Sequence, residues 1–159
     1  MTTDGTIPER GNPIAPPPPG SLELAITIAA AAHAGQVDKA GAPYILHPLR
    51  VMASVALPAA RMAAVLHDVV EDSAWTLQML REAGFGEDVL AGVDAVTRRA
   101  EESYEDFVRR AALDPVGRVV KRADLLDNLD TSRLTEVTEK DRERSLKYER
   151  ALAILDSIG

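Results

Sequence analysis

The stretch AAVLHDVVEDS at 63–73 sets His67, Asp68, Glu71 and Asp72 into an otherwise apolar run. Burying unpaired charges costs several kcal/mol per ion, so a fold that buries this segment must bring a compensating charge to it. At about 100° per residue on a helix, the four ionisable groups fall within one arc, and Ala63, Leu66, Val69 and Val70 take the other. The segment from Pro58 to Asp72 is therefore expected to be one continuous helix, its apolar side in the core and all four polar groups facing a common cavity. A divalent cation would relieve the repulsion among three carboxylates, and an imidazole beside a carboxylate is a competent ligand pair. The competing expectation for such a cluster is a solvated polar face.

The rest of the chain carries the same helical period. Ser21 can cap a helix over about 21–34, and Pro48 and Pro58 are tolerated in the first turns of the next two. Ser73 or Thr76 can cap WTLQMLREAG, and further helical patterns follow to the C-terminus. The expected class is all-α, a bundle of six to eight helices in one domain over 21–159. Residues 1–20 hold six of the ten prolines, including PPPP at 16–19, and almost no large apolar side chains. They are expected to form a flexible Pro-rich tail. Leu146, Leu152, Ile154, Leu155 and Ile158 are expected to close the bundle; a homo-oligomer seam is the alternative, although the spacing holds no strict heptad.

A net charge of −7 argues against a nucleic-acid or anionic-membrane partner, and the absence of cysteine excludes thiolate zinc sites and disulfides. No apolar run reaches the length of a membrane span, and the start of the chain lacks a signal pattern, so the expected location is the cytoplasm. No Gly-rich phosphate loop or nucleophilic Ser motif is present.

Two further places offer ligand types. His47 opens a helix in PYILHP, and Asp124 lies inside the apolar VVKRADLLDNLD with Asn128 and Thr131 close to the same side. An Asp within an apolar helix is a poor structural choice unless paired, so Asp124 reads as a ligand. His33 between alanines reads as a packing or supporting histidine, and Trp75 as a core anchor. Arg98, Arg99, Arg109 and Arg110 are interleaved with Glu101, Glu102, Glu105 and Asp106, which reads as a solvated mixed-charge surface.

The series HAGQVDKAGAPYILHP, LHDVVEDS and VKRADLLDNLDT resembles the HD-domain metal-dependent phosphohydrolases, and within them the (p)ppGpp hydrolase domain of RelA/SpoT homologues and their small stand-alone relatives. The resemblance spans about 25–134. It implies His47, His67, Asp68 and Asp124 as metal ligands, and Mn²⁺ or another divalent transition metal as cofactor. It implies Glu71 and Asp72 as the groups that orient and deprotonate water. It places Lys39, Asn128 and Thr131 at a nucleotide substrate, from which the 3′-pyrophosphate would be removed. Other HD chemistries stay open: a nucleoside monophosphate, the 2′-phosphate of NADPH, or a nucleotide sensor without turnover. This chain departs from the family's pattern at Asp38, where alarmone hydrolases carry a base-packing Arg, and at Asp130, where they carry a basic residue.

Overall fold

The computed structural model describes residues 15–158. Among them, nine helices run in order: α1 (Leu22–Ala32), α2 (Leu46–Ala53), α3 (Pro58–Leu66), α4 (Val69–Asp72), α5 (Leu77–Glu82), α6 (Glu87–Ala95), α7 (Tyr104–Leu113), α8 (Pro115–Leu129) and α9 (Glu139–Ser157). The class is all-α, and an isolated bridge between Val37 and Pro43 is the sole β feature among the described residues. The expected tail falls mostly on residues 1–14, outside the described part. At its end, Gly20 N donates to Ala83 O at 2.9 Å. A Cβ on Gly20 would meet Gly84 O at 2.2 Å, so only glycine lets these two backbones approach so closely.

Helix starts follow the chemistry of orphan backbone donors. The side chains of Ser21, Thr76, Ser103, Asp114 and Thr138 each accept from an N–H in the first turn of the helix they precede. Thr138 and Asp141 complete a reciprocal capping box.

The expected helix 58–72 does not exist as one piece, which adds one single-turn helix to the bundle. It breaks at His67–Asp68, leaving α3 and the single turn α4. The physical reason lies in the polar pair itself. His67 Nδ1 donates back to Ala64 O at 2.6 Å, and its backbone N–H reaches the same carbonyl, three residues back, at 3.4 Å. The chain tightens there, and α4 begins as a separate turn at Val69.

Helix α3 is the axis of the domain. Ala60, Ala63, Ala64, Val65 and Leu66 are fully buried, and the helix packs against α1, α2, α6 and α8. Burying Leu66 alone contributes roughly 1.5–3 kcal/mol. Close helix approach depends on small residues: a Cβ on Gly92 would meet Val116 Cγ1 at 2.4 Å, and one on Gly117 would meet Ala95 Cβ at 2.6 Å. A second apolar cluster of Val108, Ala112, Leu125, Ala151 and Leu155 joins α7, α8 and α9, so α9 closes the bundle, although Leu146 stays exposed. Trp75 packs on the main core. Helix α8 belongs to both clusters through Val120 and Leu125, which holds its polar face at the seam between them.

Candidate metal centre

The last residues of α3, the start of α2 and the middle of α8 meet at one buried point. His47, His67 and Asp124 are 6%, 3% and 7% exposed, and each offers a ligand atom within 4.8 Å of those of the other two. His67 Nδ1–H is committed to Ala64 O, so in the neutral imidazole Nε2 carries the lone pair. That nitrogen is buried without a hydrogen-bond partner, 3.0 Å from Asp68 Oδ2 and 3.4 Å from Asp124 Oδ1. His47 is fixed the same way. Its Nδ1 faces Asp127 Oδ2 at 2.6 Å, and its Nε2 faces Asp124 Oδ1 at 3.0 Å.

Nitrogen lone pairs and carboxylate oxygens thus converge with no proton donor common to them. Bonds of about 2.0–2.2 Å to a shared ion put neighbouring ligand atoms about 3 Å apart, close to the 3.0 and 3.4 Å that separate Asp124 Oδ1 from His47 Nε2 and His67 Nε2. The donor set suits a borderline divalent ion. His47, His67 and Asp124 could hold it directly. Asp68 reaches the group through His67 Nε2 and accepts a hydrogen bond from the Tyr44 hydroxyl.

Electrostatics point the same way. Burial alone would push His67 down, yet Asp68 and Asp124 hold it well above its ordinary value. Burial would likewise raise Asp124, but Lys121, His67 and the hydrogen bond from His47 hold it well below the usual carboxylate range. Asp68 is drawn to about 2 against its burial, chiefly by His67. The pocket's carboxylates demand positive charge, and a metal supplies it without protonating the imidazoles.

The outer support was not foreseen from sequence. Arg50 grips both oxygens of Asp127 at 2.8 and 3.1 Å, and Asp127 in turn orients His47. Lys121, 7% exposed, donates to Asp124 Oδ2 at 3.1 Å, which leaves Oδ1 for the centre. Asn128 Nδ2 also donates to Asp124 Oδ1, at 3.0 Å. The spacing held a signal: Arg50 lies one turn beyond His47 and Asp127 one turn beyond Asp124, the separation at which helical side chains act together.

A cavity of about 310 Å³ opens beside His47. Lys39, Asn128 and Thr131 all line it, with Tyr44, Arg133, Arg144 and Tyr148. Asp38 lines it too, but its Oδ1 accepts from Ala40 N and Ala42 N at 2.9 and 3.0 Å and so shapes the loop. Asp130 is occupied by Ser132 and Arg133.

Glu71 and Asp72 stand differently from the expectation that all four polar residues face one cavity. Both are exposed residues on α4, at the rim of the buried cluster. The break at 67–68 is the reason: His67 and Asp68 point inward, while α4 keeps Val69 in the core and leaves Glu71 and Asp72 on its exposed side. The Glu71 carboxylate accepts from the Arg98 backbone N–H. Its carboxyl is raised above the usual range by partial enclosure, with Asp68 and Asp72 adding to that. Asp72 is raised for the same first reason, then by Asp68. His33 is 2% exposed, pairs through Nδ1 with Gln36 Oε1 at 2.9 Å, and stacks obliquely on Tyr44 at 5.0 Å.

The HD domain family matches residues 25–152. A GTP pyrophosphokinase of Streptomyces coelicolor is 38% identical over 147 residues, which is 83% of this chain and 17% of that protein. A guanosine-3′,5′-bis(diphosphate) 3′-pyrophosphohydrolase of Aquifex aeolicus is 34% identical over 126 residues, 69% of this chain and 17% of that one. The chain thus spans about a sixth of the length of these curated relatives. A solved structure, described as a metazoan ortholog of SpoT that hydrolyzes ppGpp, superposes with a TM-score of 0.69 at 26% identity, covering 91% of this chain and 96% of that one. With a helical bundle that gathers two histidines and an aspartate from three helices, and with these matches over most of its length, the chain belongs to the HD domain family.

Proposed function

We propose that this domain is a divalent-metal phosphohydrolase that removes the 3′-pyrophosphate of (p)ppGpp in the cytoplasm, releasing GDP or GTP. The observation that carries the reading is the buried Nε2 of His67, without a hydrogen-bond partner among the described residues, aimed at two carboxylates beside a cavity of about 310 Å³. His47, His67, Asp68 and Asp124 would hold the ion, with Mn²⁺ favoured by the mixed imidazole and carboxylate set. The ion supplies Lewis acidity toward a phosphoryl oxygen and lowers the pKa of water.

The protein's own groups do the rest. Glu71, with Asp72 beside it, orients a water and takes its proton; raised carboxyls hold that proton better than ordinary ones. The water oxygen bonds to the phosphorus attached to the ribose 3′ oxygen, the P–O bond to that oxygen breaks, and the oxygen leaves with a proton. Lys39, Asn128 and Thr131 position the nucleotide in the cavity, where Arg133 and Arg144 add positive charge.

Asp38 supports a second reading, a different nucleotide, because its carboxylate shapes the loop and cannot pack on guanine as a guanidinium does. A substrate panel with the Mn²⁺-loaded chain decides between them. Pyrophosphate released from ppGpp supports the first. Orthophosphate released from NADPH or a mononucleotide, with ppGpp left intact, supports the second. Nucleotide binding without any turnover overturns both.

A further inference from the structure

Of the four arginines at 98–110, three find carboxylates: Arg99 meets Asp94, Arg109 meets Glu105 and Asp106, and Arg110 meets Glu102. Arg98 meets none among the described residues. Its guanidinium donates to the Glu102 backbone carbonyl at 3.2 Å and lies 5.8 Å from the centre of the Tyr104 ring, around which two more cations gather, Lys121 Nζ at 5.6 Å and Lys147 Nζ at 4.4 Å. Lys147 likewise has no carboxylate partner among the described residues, and it also lies 5.4 Å from the Tyr148 ring. The Tyr104 hydroxyl is buried with no hydrogen-bond partner among the described residues.

Three positive groups from the loop before α7, from α8 and from α9 therefore share one aromatic ring in a chain whose net charge is −7. The ring face attracts cations but cannot cancel their mutual repulsion, and of the three only Lys121 has a carboxylate partner among the described residues, Asp124. The ammonium of Lys147 is held below its ordinary value by partial burial and then by Arg98, Lys121 and Arg144, which reports that repulsion. Lys121 is buried, whereas Arg98 and Lys147 are exposed, so the cluster runs from the interior to the surface.

We propose that Arg98, Lys121 and Lys147, arranged around Tyr104, form a cradle for the diphosphate group of a phosphorylated ligand. A diphosphate carries enough negative charge and enough acceptor oxygens to engage three cations and the idle hydroxyl together. The cradle adjoins the candidate metal centre on two sides. Lys121 also grips Asp124, and the Arg98 backbone N–H holds Glu71. It is thus placed to receive the diphosphate that leaves when the 3′ oxygen is released, on the side of Asp124 that Lys121 contacts. This role rests on the pyrophosphohydrolase reading; the binding itself does not.

Calorimetric titration of the full chain with inorganic pyrophosphate, in the presence of excess Mn²⁺, tests the cradle. Lys147→Ala and Arg98→Ala are each expected to weaken binding by about tenfold or more, and Lys147→Arg to stay within about threefold of the parent. Tyr104→Phe, which keeps the ring and removes only the hydroxyl, is expected to weaken it by about threefold to tenfold. Metal stoichiometry and helical circular dichroism should be equal across the set. No measurable pyrophosphate binding by the parent, or unchanged binding by both alanine variants, overturns the cradle. Pyrophosphate binding that depends on these residues, in a chain that leaves ppGpp intact, keeps the cradle and rejects the hydrolase reading.

Discussion

Nδ1 of His47 lies 2.6 Å from Oδ2 of Asp127, and the same carboxylate is gripped by Arg50. The pair fixes which imidazole nitrogen faces Asp124, so a residue that cannot itself reach the centre decides whether His47 is a ligand.

Asp127→Ala should therefore weaken Mn²⁺ binding by about 10–100-fold, the usual cost of removing a carboxylate that orients a ligating histidine. Titration with Mn²⁺ followed by electron paramagnetic resonance measures this directly. Affinity equal to the parent's would mean that the cavity walls hold His47 without Asp127.

Glu71→Gln keeps size and hydrogen-bonding reach but removes the basic oxygen. Metal content should be unchanged while kcat falls by about 10²-fold or more. The pH profile gives an independent check. Because partial enclosure, then Asp68 and Asp72, raise the Glu71 carboxyl, the acid limb of kcat/KM should lie above the ordinary Glu value of about 4.3. Activity rises as pH climbs through that raised value, since the base works deprotonated. Asp72→Asn removes one of the neighbouring charges and should shift the limb downward.

Lys121 and Asp124 are buried together, so breaking the pair strands a charge. Lys121→Met leaves Asp124 without its nearest cation and should cost about 3–5 kcal/mol in the metal-free chain. Urea denaturation with and without Mn²⁺ should show the loss shrinking when metal is bound, because the ion then compensates the carboxylate.

Arg110 donates to the backbone oxygens of Asp94 and Thr97 at 3.0 and 2.8 Å while pairing with Glu102. It pins the loop whose Arg98 N–H meets Glu71. Arg110→Ala should lower kcat several-fold with metal affinity retained, and stopped assays beside Mn²⁺ titration would separate the two effects.

Gly117→Val would drive a side chain into Ala95, where a Cβ already meets that residue at 2.6 Å. Overpacking of this kind costs about 1–3 kcal/mol, and because α8 carries Asp124 the metal affinity should fall with the stability.

Much of this was legible in the sequence, because caps and apolar period act locally. Ser21, Pro58 and Thr76 start helices as their chemistry dictates. Those rules assume that each side chain serves its own helix. His67 does not: its bond to Ala64 O breaks the helical run, and no angular count along 58–72 could register that. The gathering of His47, His67 and Asp124 was suggested by residue type and resemblance. The roles of Tyr44, Asp127 and Lys121 depend on contacts between distant segments, such as the 80-residue separation joining His47 to Asp127. Arg98 is the opposite case: its neighbours in sequence supply acidic residues, and the fold gives those to the other arginines.

Lys121, Asp124, Asp127 and Asn128 all ride on α8, so one rigid rod bears an inner carboxylate, both of its tethers and the clamp on His47. Any force that slides this rod along its axis would unseat every one of them in the same movement. Loss of the ion should then be abrupt, arriving in a single step as the rod slips, with no half-assembled intermediate.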